Sequence, residues 1–213
     1  MLIPLANIYS FVIGITSKYN IDESHGLRHS MDAFKYSEIL FNSEKNIEPL
    51  IIKDERIIYT SALLHDMCDK KYMPEMDGIK DIKHFLKSNA YYDEEIDSII
   101  SIISNVSYSK IKKNGMPNLN TNQYAFNIVR ESDLLCAYDV DRCIIYDMMK
   151  KGSRYEDAFI DAKNLFNKRV FKHFDDKLFS TKTGIEIAND LEIQSKERIK
   201  EIEKTLSNIK TKS

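Results

Sequence analysis

Apolar residues recur at intervals of three and four positions along most of the chain. Between residues 54 and 68, this spacing links Ile57, Ile58, Ala62, Leu63 and Leu64. Such periodicity is typical of α-helices that place one face on a core. It predicts helices over about 4–18, 22–41, 54–68, 78–88, 93–105, 121–150, 154–173 and 181–208.

Two segments break the periodicity with residues that favour turns. Residues 69–77 contain Pro74 and lead to Gly78, and residues 107–120 contain Gly115, Pro117 and several Asn. Both segments are expected to be loops, because Gly and Pro interrupt regular structure. No segment has a convincing strand pattern, so the sequence predicts an all-α fold.

Composition narrows the size and class of the fold. The chain has 213 residues, and 43% of them are hydrophobic, which is too many for a disordered protein. Its 6 Gly and 4 Pro are fewer than a β-rich fold normally needs for its turns, so long helices are favoured. We expect a single helical domain over 1–213, with a core at about 22–205 and the N-terminal helix packed on it.

The charge balance limits the class of partner. Lys plus Arg is 31 and Asp plus Glu is 33, which gives a net charge of −2 and predicts no extended nucleic-acid-binding surface. A small phosphorylated ligand stays possible, because it needs only a few cations. The apolar start, MLIPLANIYSFVIGIT, lacks the basic region of a signal peptide and is shorter than the about 20 residues of a membrane span. A cytoplasmic protein without a membrane partner is therefore expected.

The cysteines give no sign of a disulfide framework. Cys68, Cys136 and Cys143 form no CxxC pair, and their number is odd, so a reducing compartment is favoured. Cys68 closely follows a His-Asp pair and could be read as a nucleophile. A buried structural thiol is the better interpretation, because free Cys mostly behaves as a small hydrophobe.

Histidine and aspartate residues form a pattern that predicts chemistry. His25 and His29 are four residues apart and so share one face of a predicted helix. His65 and Asp66 end an apolar helix, and Asp133 lies among the apolar residues of another. Burying a carboxylate is costly unless it is paired or bound to a metal, so both aspartates need a partner.

Four of these residues could hold a divalent ion between three helices: His29, His65, Asp66 and Asp133. Imidazole and carboxylate ligands suit Mn, Fe, Co, Ni or Mg, and a set without cysteine argues against a structural zinc site. A buried network of ion pairs is the alternative that the spacing leaves open.

The same residues resemble the motifs of a known family. The chain has H-x-x-x-H in HGLRHSMDAF, then HD in SALLHDMCDKKY, then a distal Asp in ESDLLCAYDVDR. This order resembles that of the HD-domain metal-dependent phosphohydrolases, and the segment from Asp22 to His29 is similar to the opening of their stand-alone members. A later stretch also matches, with His173, Phe174, Lys177, Leu178, Thr181, Thr183 and Gly184. The resemblance covers about 22–205.

The resemblance implies a role for each motif residue. It places one divalent metal ion (Mn, Mg, Co, Ni or Fe) on His29, His65, Asp66 and Asp133. His25 would face the substrate, although it could instead be a further ligand. Asp69 would orient or deprotonate the attacking water if the helix continued past His65. If it does not, Asp69 would be bonded to backbone near the end of the helix.

Two departures from the family pattern bear on the metal count. Gly26 stands where many relatives have Asp, so any positioning by that Asp is missing here. Residues 103–107 contain no His, whereas relatives often have one in this segment. A second metal site that would use this His is therefore not expected.

Basic side chains are needed to stabilise a transferring phosphoryl group. The candidates for substrate binding are Lys71, Lys177, Arg28, Arg142 and Lys110. Lys177 has the best support, because it lies in the late motif of the resemblance. The polar segment 107–110, with the Lys-Lys-Asn-Gly after it, could form a lid.

The leading prediction is a metal-dependent phosphohydrolase that acts on a nucleotide or another small phosphate ester. A cyclic-nucleotide phosphodiesterase shares the His/Asp cage but typically has extra His. A di-iron oxygenase would usually need more His and Asp ligands. A non-catalytic regulatory or interaction module would be expected to have a broken ligand set, whereas all four ligand positions are intact here.

Overall fold

The computed structural model describes residues 5–210, with side chains through residue 208, and every regular element in that range is helical. The prediction of an all-α fold is confirmed. The helices form two compact units that divide after Asp133, within one helix. A single domain over 1–213 stays a prediction.

The first unit is built from seven helices in its described part. They are α1 (Leu5–Tyr19), α2 (Leu27–Glu44), α3 (Glu55–Leu64), α4 (Glu75–Ser88), α5 (Asp93–Ile103), α6 (Tyr108–Asn114) and α7 (Gln123–Cys136). Short 3-10 turns at Pro49–Asp54 and Asn120–Asn122 lead into α3 and α7.

Helix α3 is the centre of this unit. Every residue from Ile57 to Leu64 is buried, and the helix packs against α1, α2 and α5. A helix that is buried on all sides belongs in a core. His65 follows directly, so the His-Asp pair is held at the end of the most enclosed helix of the unit.

Helix α3 ends at Leu64, four residues before the predicted end. The Nδ1–H of His65 donates to the carbonyl oxygen of Ala62 at 2.8 Å, and the N–H of Met67 donates to that of Leu64 at 3.0 Å. These bonds satisfy carbonyl groups that the last helical turn leaves without partners. The predicted end near residue 68 is therefore wrong, and the condition on which the role of Asp69 depended, a helix that continues past His65, is not met.

Three other predicted boundaries are corrected by local hydrogen bonds. The expected single helix over 121–150 is two helices, because Asp139 accepts from the N–H of Arg142 at 2.9 Å and starts a new one. Helix α2 starts five residues after Asp22, whose side chain instead accepts from the N–H of Ser24 at 3.0 Å. The segment 107–120, expected to be a loop, contains α6.

The second unit contains three further helices among the described residues. They are α8 (Val140–Lys151), α9 (Tyr155–Lys168) and α10 (Lys182–Lys210), and α8 packs against the other two. Gly152 ends α8 with a φ of +66°, a left-handed conformation that favours glycine. Thr181 caps α10, because its Oγ1 accepts from the N–H of Gly184 at 3.0 Å, so the T-x-x-G motif has a structural role.

The apolar N-terminal stretch forms α1, which packs on α2 and α3 as predicted. Residues 1–4 of that stretch lie outside the described residues. Across the described helices, none is both long enough and apolar enough to cross a membrane.

Gly78 allows α4 to lie directly against the turn that follows α3. A Cβ atom at this position would be 2.6 Å from the Cα atom of Cys68 and 2.8 Å from the carbonyl oxygen of Met67. Both distances are too short for a non-bonded contact, so either α4 or the turn would have to move. This turn starts with His65 and Asp66. The position of the His-Asp pair therefore depends on having glycine, which has no Cβ atom, at residue 78.

Gly78→Ala should lower the free energy of unfolding by about 1–3 kcal/mol, because the added methyl group overpacks a backbone contact. Gly14→Ala is the matched control, since Gly14 is also helical and its Cβ position has no atom within 4 Å. The control should raise the free energy by about 0.5–1 kcal/mol through helix propensity. Urea unfolding measures both values, and equal effects would contradict the close approach at Gly78.

Candidate metal centre

The four predicted ligands lie together in the first unit. His29 is in the first turn of α2, His65 and Asp66 follow the end of α3, and Asp133 is near the end of α7. Three separate elements thus supply the site, as the sequence predicted.

The two imidazole groups form the centre of the cluster. The Nε2 atoms of His29 and His65 are 3.1 Å apart. An Oδ2 atom of Asp66 lies 3.2 Å from the first and 3.4 Å from the second, and Oδ1 of Asp133 lies 3.3 Å and 3.5 Å from them. His29, His65 and Asp133 have ligand atoms that all lie within 4.8 Å of one another, and Asp66 joins them through the two imidazoles.

These spacings fit a small cation. If each ligand atom lies about 2.1 Å from an ion, neighbouring ligands are about 3.0 Å apart in an octahedron and about 3.4 Å apart in a tetrahedron. The five measured separations run from 3.1 to 3.5 Å. Two imidazole nitrogens and two carboxylate oxygens are also ligands that suit first-row divalent metals.

A buried oxygen distinguishes a metal site from a network of ion pairs. Oδ2 of Asp66 is buried and has no hydrogen bond of acceptable geometry within the described chain, although His29 Nε2 is only 3.2 Å away. A buried carboxylate oxygen without a hydrogen bond is costly, and a cation at the centre of the cluster would bind it directly. The donor set therefore fits a divalent ion better than it fits an internal salt-bridge network.

The hydrogen bond of His65 to backbone prepares its other nitrogen for a ligand. Nδ1–H donates to the carbonyl oxygen of Ala62, so in neutral His65 the lone pair is on Nε2, which faces the cluster. In many metal-binding histidines, a hydrogen bond from the ring nitrogen that does not bind the metal fixes the tautomer and the ring orientation.

Both carboxylates of the cluster are ionised at neutral pH. Burial alone would raise the pKa of Asp66, but His65 and His29 outweigh it and hold the pKa at about 2. Burial likewise opposes ionisation of Asp133, whereas hydrogen bonds and charge from His29 and His65 lower its pKa well below the usual range. Two negative charges therefore face one small space, which favours a divalent cation.

The cluster is enclosed on one side and open on the other. The His65 and His29 side chains are only 1% and 4% exposed, whereas the Asp133 side chain is 28% exposed. A ligand from solvent can therefore approach from the Asp133 side.

His25 lies beside the cluster and is not part of it. Its ring centroid is 6.0 Å from that of His29, and its Nδ1 lies 2.7 Å from Ser24 Oγ and 3.1 Å from Tyr72 Oη. The sequence interpretation included His25 but missed Ser24 and Tyr72. Tyr72 is 47 residues away, and no spacing rule connects it to His25.

Cys68 is a structural thiol. It is buried against Gly78, and burial raises the pKa of the thiol to about 12. A thiol with such a pKa is protonated at neutral pH, and the thiolate is the nucleophilic form. The interpretation of Cys68 as a buried structural residue is therefore preferred over that of a nucleophile.

Asp69 lies in a turn, where its side chain bonds to backbone. Its Oδ1 accepts from the N–H of Lys71 at 2.9 Å, and its carbonyl oxygen accepts from the N–H of Tyr72 at 3.0 Å. The geometry that suggested a role in orienting water, a continuous helix from His65, is absent. The catalytic role of Asp69 stays a prediction, and helix geometry no longer supports it.

The predicted substrate-binding cations are in different surroundings. Arg28 is exposed and its Nε lies 2.8 Å from Asp32. Lys110 lies in α6, and its Nζ bonds to Glu75 at 2.7 Å and to the carbonyl oxygen of Ser104 at 2.8 Å. The expected lid loop at 107–110 is therefore wrong, because this segment begins a helix and Lys110 holds it to its neighbours.

Lys71 lies beside the His25 network, with its Nζ 5.0 Å from the centroid of the Tyr72 ring. Its positive charge is one of the influences that lower the pKa of His25, after burial. Arg142 and Lys177 belong to the second unit. Arg142 is in the first turn of α8, Lys177 is exposed with a φ of +52°, and their predicted contacts with a substrate stay predictions.

Comparison with known proteins supports the fold. No protein-family model and no curated protein matches the chain. The crystal structure of Bacillus subtilis YpgQ is similar, with a TM-score of 0.68 and 18% identity over 94% of this chain and 96% of that one. A crystal structure of a Lactobacillus plantarum protein, a structural genomics target, matches with the same score and identity over 97% and 100%. At this identity, the likeness shows a shared fold alone.

Excess Mn²⁺ should stabilise the protein against unfolding by about 2.7 kcal/mol when its concentration is 100 times the Kd. Asp133→Asn should remove most of this gain, because a carboxamide is a neutral and weaker ligand. Asp97→Asn is the matched control, since the Asp97 side chain is 78% exposed on α5. Thermal unfolding with and without Mn²⁺ gives the comparison, and equal stabilisation of both variants would contradict the proposed ligand.

Proposed function

We propose that this protein is a metal-dependent phosphohydrolase of the HD-domain type, acting on a nucleotide or another small phosphate ester. The observation that carries the proposal is the convergence of His29, His65, Asp66 and Asp133, with a buried Asp66 oxygen that lacks a hydrogen bond within the described chain. The order of these residues in the sequence is also that of the family it resembles.

The chemistry of the proposed reaction follows from the ligand set. His29, His65, Asp66 and Asp133 would hold one divalent ion, which would lower the pKa of a bound water and polarise a phosphoryl oxygen. Both carboxylates are ionised and both Nε2 atoms face the cluster. Because Asp66 and Asp133 raise the pKa of His65 despite its burial, binding of the ion would release the proton from a protonated imidazole.

The surrounding residues suit a phosphorylated substrate. The exposed side of the cluster, at Asp133, gives access from solvent. His25 and Lys71 lie in one neighbourhood of the same unit, where they offer a hydrogen-bonding imidazole and a positive charge. A phosphate group would be bound by such a cation and would otherwise be repelled by the two carboxylates.

The direct test measures phosphate and pyrophosphate release from nucleoside mono- and triphosphates with Mn²⁺, Mg²⁺, Co²⁺ or Ni²⁺. Asp66→Ala should reduce release by at least about 100-fold, because the loss of residues that only support a metal ligand already costs 10–100-fold. Asp97→Ala should keep the wild-type rate, since Asp97 is exposed on α5.

Two outcomes would overturn the proposal. One is no release by the wild type with any of the four metals, and the other is equal release by the wild type and Asp66→Ala. A 3′,5′-cyclic nucleotide in the same panel tests the phosphodiesterase alternative, and hydrolysis of that substrate alone would favour it.

A further inference from the structure

A compact network of polar groups surrounds the Nδ1 atom of His25. The hydroxyl of Tyr72 donates to Oδ2 of Asp22 at 2.6 Å, and the hydroxyl of Ser24 donates to Oδ1 of the same carboxylate. The two hydroxyl oxygens then lie 3.1 Å and 2.7 Å from Nδ1 of His25. One carboxylate therefore holds two hydroxyls against one imidazole nitrogen.

The direction of these hydrogen bonds fixes the position of one proton. An ionised carboxylate only accepts hydrogen bonds, so each hydroxyl must give its single proton to Asp22. Hydrogen bonds from Ser24 and Tyr72 lower the pKa of Asp22 despite its burial, which keeps this group ionised. The hydroxyl oxygens can offer only lone pairs to His25, and Nδ1 must be the donor.

We propose that Asp22 and Tyr72 are positioning residues that keep the proton of neutral His25 on Nδ1, so that Nε2 accepts a hydrogen bond from an O–H group in the site. Within the described chain, Nε2 of His25 has no hydrogen-bond partner, and the His25 ring is next to that of His29. The role of this acceptor toward a substrate rests on the proposed function, whereas the position of the proton does not.

The chain offers a close control for the removal of the Tyr72 hydroxyl. Tyr19 also donates to an aspartate, with its hydroxyl 2.8 Å from Oδ2 of Asp81. Tyr19→Phe therefore removes a tyrosine–aspartate hydrogen bond in the same unit without changing the His25 network. Any effect that is specific to Tyr72→Phe then reports on His25.

Nitrogen-15 NMR of the histidine rings in the full chain, prepared without metal ions and at a pH where His25 is neutral, tests the proton position. The His25 signals are assigned by their loss in His25→Gln. The wild type and Tyr19→Phe should show the proton on Nδ1. Tyr72→Phe should move part of the population to the Nε2–H form, and Asp22→Asn should move more, because a carboxamide can donate to a hydroxyl.

Two NMR results would overturn the proposal: a proton on Nε2 of His25 in the wild type, or the same tautomer in the wild type and in every folded variant of Asp22 and Tyr72. Tyr72→Phe keeps Asp22 and Ser24 in place, so it remains informative if Asp22→Asn does not fold. These results do not depend on hydrolysis, and they stand even if no phosphate release is found.

Kinetics then tests the consequence for the reaction. Tyr72→Phe should lower kcat for nucleotide hydrolysis by about tenfold, as expected for the loss of a residue that orients a functional side chain. Stabilisation of this variant by Mn²⁺ should be unchanged, because neither Tyr72 nor His25 is a proposed metal ligand. Equal kcat values for wild type and Tyr72→Phe would contradict the functional part, and loss of Mn²⁺ binding would show a structural role instead.

Discussion

The site depends on one electrostatic constraint: two ionised carboxylates face the same small space beside two buried imidazoles. The oxygens of Asp66 and Asp133 both lie within 3.5 Å of the Nε2 atoms of His29 and His65. The imidazoles keep both carboxylates ionised despite their burial, but one Asp66 oxygen is left without a hydrogen bond in the part of the chain that is described. A divalent cation would balance the two charges and would fit the space between the four side chains.

The fold of the first unit holds the enclosed side of this cluster, at His29 and His65, away from solvent. Helix α3 is buried from Ile57 to Leu64, and His65 closes it with a bond to its own last turn. Gly78 brings α4 into contact with the turn that follows, so the backbone of the His-Asp pair is held from both sides. Rigid support of this kind fixes the ligand atoms within the few tenths of an ångström that a metal site requires.

The four clustered side chains could be predicted from the sequence, whereas the network around His25 could not. His29, His65, Asp66 and Asp133 are residue types that an apolar helix rarely buries, so each gives a local signal. Tyr72 is one of 12 Tyr, and its contact with His25 depends on a turn that forms only because α3 ends at Leu64. The helix ends discussed above depend on single hydrogen bonds, and the spacing of apolar residues carries no information about such bonds.

His65 and His25 both donate a hydrogen bond from Nδ1, but their Nε2 atoms have different surroundings. His65 donates from Nδ1 to a helix carbonyl, and His25 donates from Nδ1 to two hydroxyls that a carboxylate holds. Each arrangement leaves Nε2 with a lone pair. At His65 that lone pair faces the buried carboxylates and suits a metal ion. At His25 it lies outside the cluster, without a partner in the described chain, and suits an O–H donor on a ligand. In both histidines, the hydrogen bond from Nδ1 leaves the lone pair on Nε2. The surroundings of each Nε2 atom then determine which ligand it suits.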